Sequence, residues 1–352
     1  MSERFDLVGF GEAMVRLNSP EHIRLEQAQY LNLAIAAAEL NVCVNTSTLG
    51  IRTKWVSKLC DTWSGKYIVN KGREHNVNMD DVIMEKYDGS GRKARNGLCF
   101  IEIGIGPRAS RQIYDRGNSA ISQIREGEID WKKVFENAGW FHTTGITCAI
   151  SPQGAAEAVR SLKIAKECGL TTSFDLNFRS TLWSPAEAQA AMAKAVPYID
   201  VLIGNEEDFE TMLGIKADDT TQTYSKLDPM NYKAVALKVV EKYPNVKTVG
   251  TTLREVKTAT VNDWRTVAYH NGEYYVSKKY ENLEIYDRTG GGDSFASALI
   301  YSLITGEFKG QDMIEFSAAY SALCHGFMGD WNWAYKEEAV GVMKGGSARV
   351  KR

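Results

Sequence analysis

The sequence predicts an α/β protein built around a mainly parallel sheet with helices on both of its faces. The main observation is a regular alternation of strand-like and helix-like stretches from Trp140 onward, which is typical of parallel sheets. A second observation is the short apolar run Val201–Gly204, as expected of a strand buried on both faces. Because such sheets bind ligands beyond the carboxyl ends of their strands, we expect the functional residues in those loops.

Local signals justify the individual elements. A Ser-Pro pair begins the helices at Ser151 and Ser184, and Glu187 completes a capping box with Ser184. Gly214 is predicted to end a further helix. In chain order the predicted elements are the strand Trp140–Thr144, a helix from Ser151 towards Gly169, the strand Thr171–Leu176, a helix from Ser184, the strand Val201–Gly204, the helix Glu206–Leu213 and the strand Lys247–Thr252.

Several regions break this alternation. Asn271-Gly272 lies between two strand-like stretches and predicts a hairpin. The polar stretch Lys216–Tyr232 predicts a surface loop, and the basic ending Arg349–Arg352 predicts a solvated tail. A small antiparallel sheet is expected from Met14–Leu17, Leu98–Ile103 and Gln112–Tyr114, the last two joined by the loop Gly104–Arg111.

Composition excludes several classes of function. The chain has 352 residues and a formal net charge of −2, without the basic excess that nucleic acid or an anionic membrane would favour. No C-x-x-C or H-E-x-x-H occurs among its 6 cysteines and 5 histidines, so we expect free thiols rather than a zinc or redox site. The charged beginning MSERFDLVGF and the lack of a long apolar run predict a soluble, cytoplasmic protein.

The most informative segment is Asp287–Asp293, with the sequence DRTGGGD. Apolar residues recur after it at helical spacing, and Gly306 is a plausible end for that helix. Three glycines at a helix N-terminus leave backbone N–H groups free to bind an anion. Asp293 could then take the proton of a hydroxyl that attacks a phosphoryl group held by those N–H groups. The alternative is a flexible loop followed by an aspartate that caps the helix.

This segment resembles the Asp-Thr-x-Gly-Ala-Gly-Asp turn of the ribokinase-like (phosphofructokinase-B-type) sugar kinases. The likeness covers nearly the whole chain, and part of it is typical of the branch that phosphorylates 2-keto-3-deoxygluconate. The segments that carry the general likeness are Gly11–Leu17, Trp55–Leu59, Asn205–Asp208 and Gly346–Val350, and those that carry the narrower one are Tyr114–Arg116 with Ser119-Ala120, Asp175–Arg179 and Thr252–Glu255.

The resemblance implies a fold and a set of partners. The fold is a three-layer α/β/α sandwich with a central, mainly parallel sheet and a small β-sheet lid, in a single domain spanning residues 1–352. The lid is expected from about 12–18 and 97–118. Relatives often dimerise through this lid, so a homodimer is an option by analogy. ATP, Mg²⁺ and a small sugar acid are the implied ligands, with neither nucleic acid nor a membrane as a partner.

The resemblance also implies a role for each matching residue. The catalytic group consists of the base Asp293 and an anion hole of Gly290, Gly291 and Gly292. Substrate contacts are implied for Ala37, Asn41, Cys99, Tyr114, Arg116, Arg179 and Asp287. Nucleotide contacts are implied for Asn205, Thr252, Arg254, Gly290 and Gly292, and indirect magnesium contacts, through water, for Asn205 and Asp208. The alternative for these polar residues is a surface salt bridge or a capping role.

Three departures from the family pattern lie on the substrate side. Ala36-Ala37 replaces a glycine pair, so two added methyl groups could narrow the pocket or stiffen closure. Cys99 replaces a tyrosine that lines the sugar site in the closest relatives. Val42–Leu49 is rich in Asn, Thr, Ser and Val, a poor composition for the helix that the family has there. The reaction class is therefore better supported than the substrate.

The leading hypothesis is an ATP-dependent kinase that phosphorylates the 6-hydroxyl of 2-keto-3-deoxygluconate. A related alternative is a kinase for another sugar, such as a fructose-like sugar or 5-keto-2-deoxygluconate. A second class is a sugar- or nucleotide-binding regulator that has lost turnover, as the altered pocket would allow. A third is a nicotinamide-dependent dehydrogenase, suggested by Val8–Gly11, but its fingerprint needs a third glycine where the chain has Met14.

Overall fold

The computed structural model describes residues 4–205, 207–216 and 227–346. The strands of this part are β1 (Phe5–Phe10), β2 (Ala13–Asn18), β3 (Asn32–Ala37), β4 (Thr53–Cys60), β5 (Val82–Glu85), β6 (Leu98–Glu102), β7 (Arg111–Asp115), β8 (Ala138–Thr144), β9 (Thr171–Asp175), β10 (Val201–Asn205), β11 (Thr248–Val256), β12 (Val261–His270), β13 (Glu273–Val276) and β14 (Tyr280–Glu284). Its α-helices are α1 (Glu39–Thr48), α2 (Trp63–Glu74), α3 (Trp131–Val134), α4 (Gly145–Ala149), α5 (Pro152–Glu167), α6 (Pro185–Ala195), α7 (Asp208–Leu213), α8 (Pro229–Lys242), α9 (Gly291–Thr305), α10 (Gln311–Cys324) and α11 (Lys336–Met343).

These strands form two sheets. The large sheet has the order β13-β12-β11-β10-β9-β8-β1-β4-β5, with β14 added beside β12. Its pairings are parallel from β5 to β11, and β12 then pairs antiparallel with β11, β13 and β14. The small sheet has the order β3-β2-β6-β7.

Helices cover both faces of the large sheet because neighbouring residues of a strand point to opposite faces. On β1, Val8 belongs to the core under α5 to α8, whereas Leu7 belongs to the core under α9 to α11. On β8, Phe141 belongs to the first of these cores and Trp140 to the second. The result is the predicted three-layer α/β/α arrangement with a separate small sheet.

The locally signalled elements are confirmed. Ser184 and Glu187 form the expected capping box at α6, and Gly214 ends α7 in the left-handed conformation with a φ of 66°. Asn271 and Gly272 both have positive φ in the turn between β12 and β13. The six cysteines are free thiols, and all are buried except Cys168. No helix within the described ranges combines the length and apolar character needed to cross a membrane.

Three expectations need correction or lie outside the described residues. The small sheet is not fully antiparallel, since β2 and β6 pair in parallel, and it contains the unpredicted strand β3. The predicted loop Lys216–Tyr232 overlaps the start of α8, and residues 217–226 are not described. The C-terminal match Gly346–Val350 and the basic ending Arg349–Arg352 lie beyond the described residues, apart from Gly346.

Helix α1 forms in spite of its poor helix composition because its polar side chains face buried partners. Asn45 accepts a hydrogen bond of 2.9 Å from the backbone N–H of Asn332 and donates one of 3.3 Å to Ser294 Oγ. Thr46 bonds back to the carbonyl of Val42 at 2.6 Å, which satisfies its buried hydroxyl. Tertiary contacts thus override the weak intrinsic propensity.

The substitution Asn45→Ala should lower the free energy of unfolding by about 1–3 kcal/mol, since it leaves the N–H of Asn332 and the hydroxyl of Ser294 without this partner. Urea unfolding followed by circular dichroism measures the change. Thr48→Ala is the matched control on the same helix, because Thr48 is exposed and bonds only to the carbonyl of Val44. This control should stay within about 0.5 kcal/mol of the parent chain. Equal losses in the two variants would contradict the account of α1.

Candidate active site

A cavity of about 460 Å³ opens between the carboxyl ends of the central strands and the small sheet. This is the position where parallel α/β sheets bind ligands. Most of the predicted site residues line it: Ala37, Cys99, Tyr114, Arg116, Arg179, Asn205, Asp208, Thr252, Arg254, Gly290, Gly292 and Asp293. Three predicted residues do not line the cavity: Gly291, Asn41 and Asp287. Asn41 donates a hydrogen bond to Asp293, and Asp287 accepts one from the backbone N–H of Thr289.

The glycine turn at the start of α9 is shaped by close packing. Gly290 has a φ of 79°, and a Cβ there would lie 2.1 Å from the carbonyl oxygen of Asp330. A Cβ on Gly291 would lie 2.7 Å from the ring of His325, whereas nothing lies within 4 Å of one on Gly292. The first two glycines therefore permit the packing, and the third leaves the helix N-terminus open to the cavity. Open N–H groups at the positive end of a helix dipole suit a phosphoryl group.

Asp293 lies in the first turn of α9 and faces the same cavity. Burial is the main cause that raises the pKa of its carboxyl to about 7, and the negative charges of Asp330 and Glu39 contribute to this rise. A hydrogen bond of 2.7 Å from Nδ2 of Asn41 and the charge of Arg179 act in the opposite direction. A carboxyl with a pKa close to neutrality is suited to accept and release a proton at physiological pH.

A buried ion cluster that sequence reasoning missed holds the turn in place. Arg16 on β2 is fully buried and pairs with the carboxylates of Asp287 and Asp330. It also donates to Thr289 Oγ1, and Asp287 accepts the backbone N–H of Thr289 at 3.0 Å. The sequence signal for this cluster was a charged residue, Arg16, in the middle of the apolar strand Ala13–Asn18. Its partners could not be identified from the sequence, because Asp287 lies 271 positions away and Asp330 lies 314 positions away.

The cavity lining contains two arginines with different surroundings, Arg116 directly after β7 and Arg179 in the turn after β9. Nε of Arg116 lies 3.2 Å from Oε2 of Glu12, and its guanidinium carbon lies 4.5 Å from the Tyr114 ring centroid. Arg179 donates to the carbonyl of Phe178 at 2.9 Å and has no carboxylate within 4 Å among the described residues. Arg179 therefore forms no ion pair among these residues, although its charge acts on Asp175, Asp208 and Asp293. Glu12, which is buried, was not among the predicted site residues.

The turns after β9 and β10 form one wall of the cavity, and Arg179 belongs to the first of these turns. Asp208 accepts the backbone N–H of Asn205 at 3.0 Å and that of Phe178 at 3.2 Å, and so joins the two turns. Asn205 Oδ1 accepts the N–H of Asp208 at 3.1 Å in return. Burial raises the pKa of both Asp208 and the neighbouring Asp175. Arg254 lines the same region, and its buried Nε has no hydrogen-bond acceptor within the described part of the chain.

A further unpredicted residue, Glu39, holds the start of α1. Its Oε1 accepts hydrogen bonds from Thr144 Oγ1 at 2.8 Å and Thr147 Oγ1 at 2.6 Å. Burial raises its pKa to about 7. A Cβ on Gly11 would lie 2.0 Å from Oε2 of Glu39, so the glycine of the Gly11-Glu12 pair makes room for this carboxyl. Glu39 thus links the first residue of α1 to the end of β8 and to α4.

The substitution Arg16→Met should lower the free energy of unfolding by about 3–5 kcal/mol, because it leaves two carboxyls buried without their cation. Urea unfolding at pH 7 measures the loss. The matched control is Arg73→Met, which removes the exposed pair of Arg73 with Asp80 and should cost less than about 1 kcal/mol. A loss in Arg16→Met no larger than in this control would show that the cluster does not hold the turn.

A parallel α/β sheet, an anion-binding glycine turn, a buried carboxyl beside it and arginines across the cavity together define a phosphotransferase that acts on a small molecule. Comparison with known proteins agrees. The sequence pattern of the pfkB family carbohydrate kinases matches residues 4–330, and the chain belongs to this family.

Individual relatives narrow the comparison. The 2-dehydro-3-deoxygalactonokinase of Haloferax volcanii is 33% identical over 347 residues, which cover 99% of this chain and 99% of the relative. The crystal structure of 2-dehydro-3-deoxygluconokinase from Thermotoga maritima has a TM-score of 0.90 and 38% identity, covering 97% of this chain and 100% of that one. The ribokinase II of E. coli in complex with ATP and Mg²⁺ shares the fold, with a TM-score of 0.77 at 17% identity over 97% of this chain and 99% of that one. The chain is thus a sugar acid kinase close to those that act on 2-keto-3-deoxy acids (the 2-dehydro-3-deoxy acids of these names).

Proposed function

We propose that the protein transfers the γ-phosphoryl group of ATP to the 6-hydroxyl of 2-keto-3-deoxygluconate. The observation that carries this proposal is the placement of Asp293 in the glycine turn, facing a cavity that Arg116 and Arg179 also line. The glycine turn suits a phosphate group, the arginines suit a carboxylate, and Asp293 offers a base in the same cavity. A sugar acid with a terminal primary hydroxyl matches this set of groups.

The chain's residues divide the reaction between them. The ionised carboxylate of Asp293 accepts the proton of the substrate's 6-hydroxyl as the hydroxyl oxygen bonds to the γ-phosphorus and the bond to ADP breaks. The N–H groups of the turn at Gly290–Asp293 stabilise the negative charge of the transferred group. Arg254, with its buried Nε lacking an acceptor, is suited to the nucleotide phosphates.

The donor set near α7 fits Mg²⁺ held through water. Asn205 and Asp208 offer oxygen atoms, and the Asp208 carboxylate keeps free lone pairs beyond the two backbone N–H groups that it accepts. Burial raises the pKa of Asp175 and Asp208 in spite of the charge of Arg179, and a divalent ion nearby would favour their ionised forms. When bound, Mg²⁺ would neutralise charge on the nucleotide phosphates.

Arg179 is the proposed binding group for the substrate carboxylate. Within the described residues its guanidinium donates only to the backbone carbonyl of Phe178, so it retains donors for a bidentate contact. Arg116 is held against Tyr114 and Glu12, and it supports the same end of the substrate. Ala37 and Cys99 complete this wall with small side chains.

The C4 epimer, 2-keto-3-deoxygalactonate, is the second candidate substrate, favoured by the likeness to the Haloferax volcanii enzyme. Measurement of ADP release over a panel of sugars decides between the candidates. The panel contains both epimers, 5-keto-2-deoxygluconate, aldohexoses and ketohexoses. Turnover on a neutral hexose but on neither epimer would overturn the proposed substrate, and ligand-induced thermal shifts without any ADP release would favour a binding regulator.

The substitution Asp293→Asn should lower kcat by about 10²–10⁴-fold because it removes the base while preserving shape. In the parent enzyme the rate should fall as pH decreases through about 7, where Asp293 becomes protonated. Steady-state kinetics between pH 5.5 and 9 test both statements, and near-normal turnover in the variant would remove Asp293 from the mechanism.

Thermal unfolding of Asp293→Asn is the control for folding. Since Asp293 has a higher pKa when folded than when unfolded, its ionisation destabilises the fold, and the variant should gain stability at pH 8.

A reciprocal pair of substitutions tests the two ends of the cavity. Arg179→Ala should raise the KM of the sugar acid by about 10–100-fold and that of ATP far less, because it removes a charge-assisted hydrogen bond to a carboxylate. Arg254→Ala should have the opposite selectivity. Initial rates with each substrate varied in turn measure both effects. Equal changes in the two KM values in either variant would contradict the assignment of that arginine.

A further inference from the structure

The indole of Trp331 contacts the residue that holds the proposed base. Trp331 lies in the segment after α10 and is buried, with 7% of its surface exposed. Its Nε1 donates a hydrogen bond of 2.9 Å to Oδ1 of Asn41. Nδ2 of Asn41 donates to Asp293, so two hydrogen bonds connect the indole with the carboxyl of Asp293.

The surroundings of Asn41 favour one orientation of its amide group. Nδ2 faces three acceptors, namely the carbonyl of Ala37 at 2.6 Å, Oδ2 of Asp293 at 2.7 Å and Oδ2 of Asp330 at 3.3 Å. Oδ1 faces the indole N–H of Trp331. Reversal of the amide would turn its oxygen towards these acceptors and its NH₂ towards the indole donor, and both arrangements are repulsive. The indole N–H and these three acceptors therefore favour the same orientation, in which Asn41 donates to Asp293.

We propose that Trp331 is a positioning residue for phosphoryl transfer, whose indole N–H fixes the Asn41 amide so that Asp293 is held and remains ionised as the base. This inference rests on the proposed function of Asp293. It concerns a residue outside the cavity lining, which acts on the reacting groups only through Asn41.

The charges around Asp293 explain why a single amide has a measurable effect. Asp330 and Glu39 raise the pKa of Asp293, Arg179 and the Asn41 amide lower it, and Asp175 and Cys324 are the other titratable groups coupled to its charge. In this setting an Asn41 amide that is held less firmly, and donates a weaker hydrogen bond to the carboxylate, would favour the protonated form of Asp293. The pKa would rise, and less base would be available at neutral pH.

Trp333 provides a matched control for the aromatic packing of Trp331. Both indoles contact the His75 ring edge to face, with centroid distances of 4.7 Å from Trp331 and 5.0 Å from Trp333. Trp333, however, is 55% exposed and lies outside the cavity lining. Replacement of either tryptophan by phenylalanine retains an aromatic ring beside His75 and removes an N–H group.

The test compares pH profiles of kcat for Trp331→Phe, Trp333→Phe and the parent enzyme with the sugar acid. In Trp331→Phe the acidic limb should move upward by about 1 pH unit, the effect of one hydrogen bond on a carboxylate. Turnover should then be about tenfold lower at pH 6 and within about twofold of the parent at pH 9, with KM nearly unchanged. Trp333→Phe should match the parent profile. An equal loss at every pH would indicate a packing role and overturn the inference.

Two further measurements separate this inference from the proposed function. In an Asn41→Ala background, adding Trp331→Phe should not shift the profile again, and an additional shift would contradict the route through Asn41. The pKa of Asp293 can also be followed by NMR with ¹³C-labelled aspartate, the signal being assigned by its loss in Asp293→Asn. A higher pKa in Trp331→Phe supports the inference even if no sugar acid is turned over, in which case the proposed function alone fails. An unchanged pKa overturns the inference alone.

Discussion

The site depends on one buried cation. Arg16 lies on a strand of the small sheet and binds two carboxylates that come from distant parts of the chain, Asp287 before the glycine turn and Asp330 after α10. Burial of a guanidinium is costly, and the two carboxylates compensate for it. The small sheet, the turn and the segment after α10 are thus joined by a buried ion cluster.

From this point the contacts continue to the proposed base. Asp330 accepts a hydrogen bond from Asn41, and Asn41 donates to Asp293 and accepts from Trp331. Around them six carboxyls have their pKa raised by burial: Glu12, Glu39, Asp175, Asp208, Asp293 and Asp330. Such a concentration of buried acids costs stability, as is common at functional sites. Because burial also lowers the effective dielectric constant, these carboxyls interact strongly with a bound cation or anion.

The elements that could be predicted from the sequence are those formed by residues close together in the chain. The capping box of Ser184 and Glu187, the Asn271-Gly272 turn and the helix after Asp293 each rest on contacts within a few positions, so their patterns were sufficient. Most of the predicted site residues also came together in one cavity. What pattern analysis missed was non-local: strand β3, the parallel pairing of β2 with β6, and the roles of Arg16 and Trp331. Helix α1 belongs with these, because its asparagines are stabilised by partners far away in sequence.

The sequence by itself determined the class of fold, the glycine turn and the carboxyl within it, since short apolar runs, capping residues and three glycines restrict the backbone locally. The tertiary structure alone decided how those parts act on one another. It set which acids Arg16 neutralises and which arginine remains open to a ligand. It also determined which way the Asn41 amide points. The reason is physical: charge compensation and hydrogen-bond orientation depend on distances of a few ångströms between residues that the chain separates by hundreds of positions.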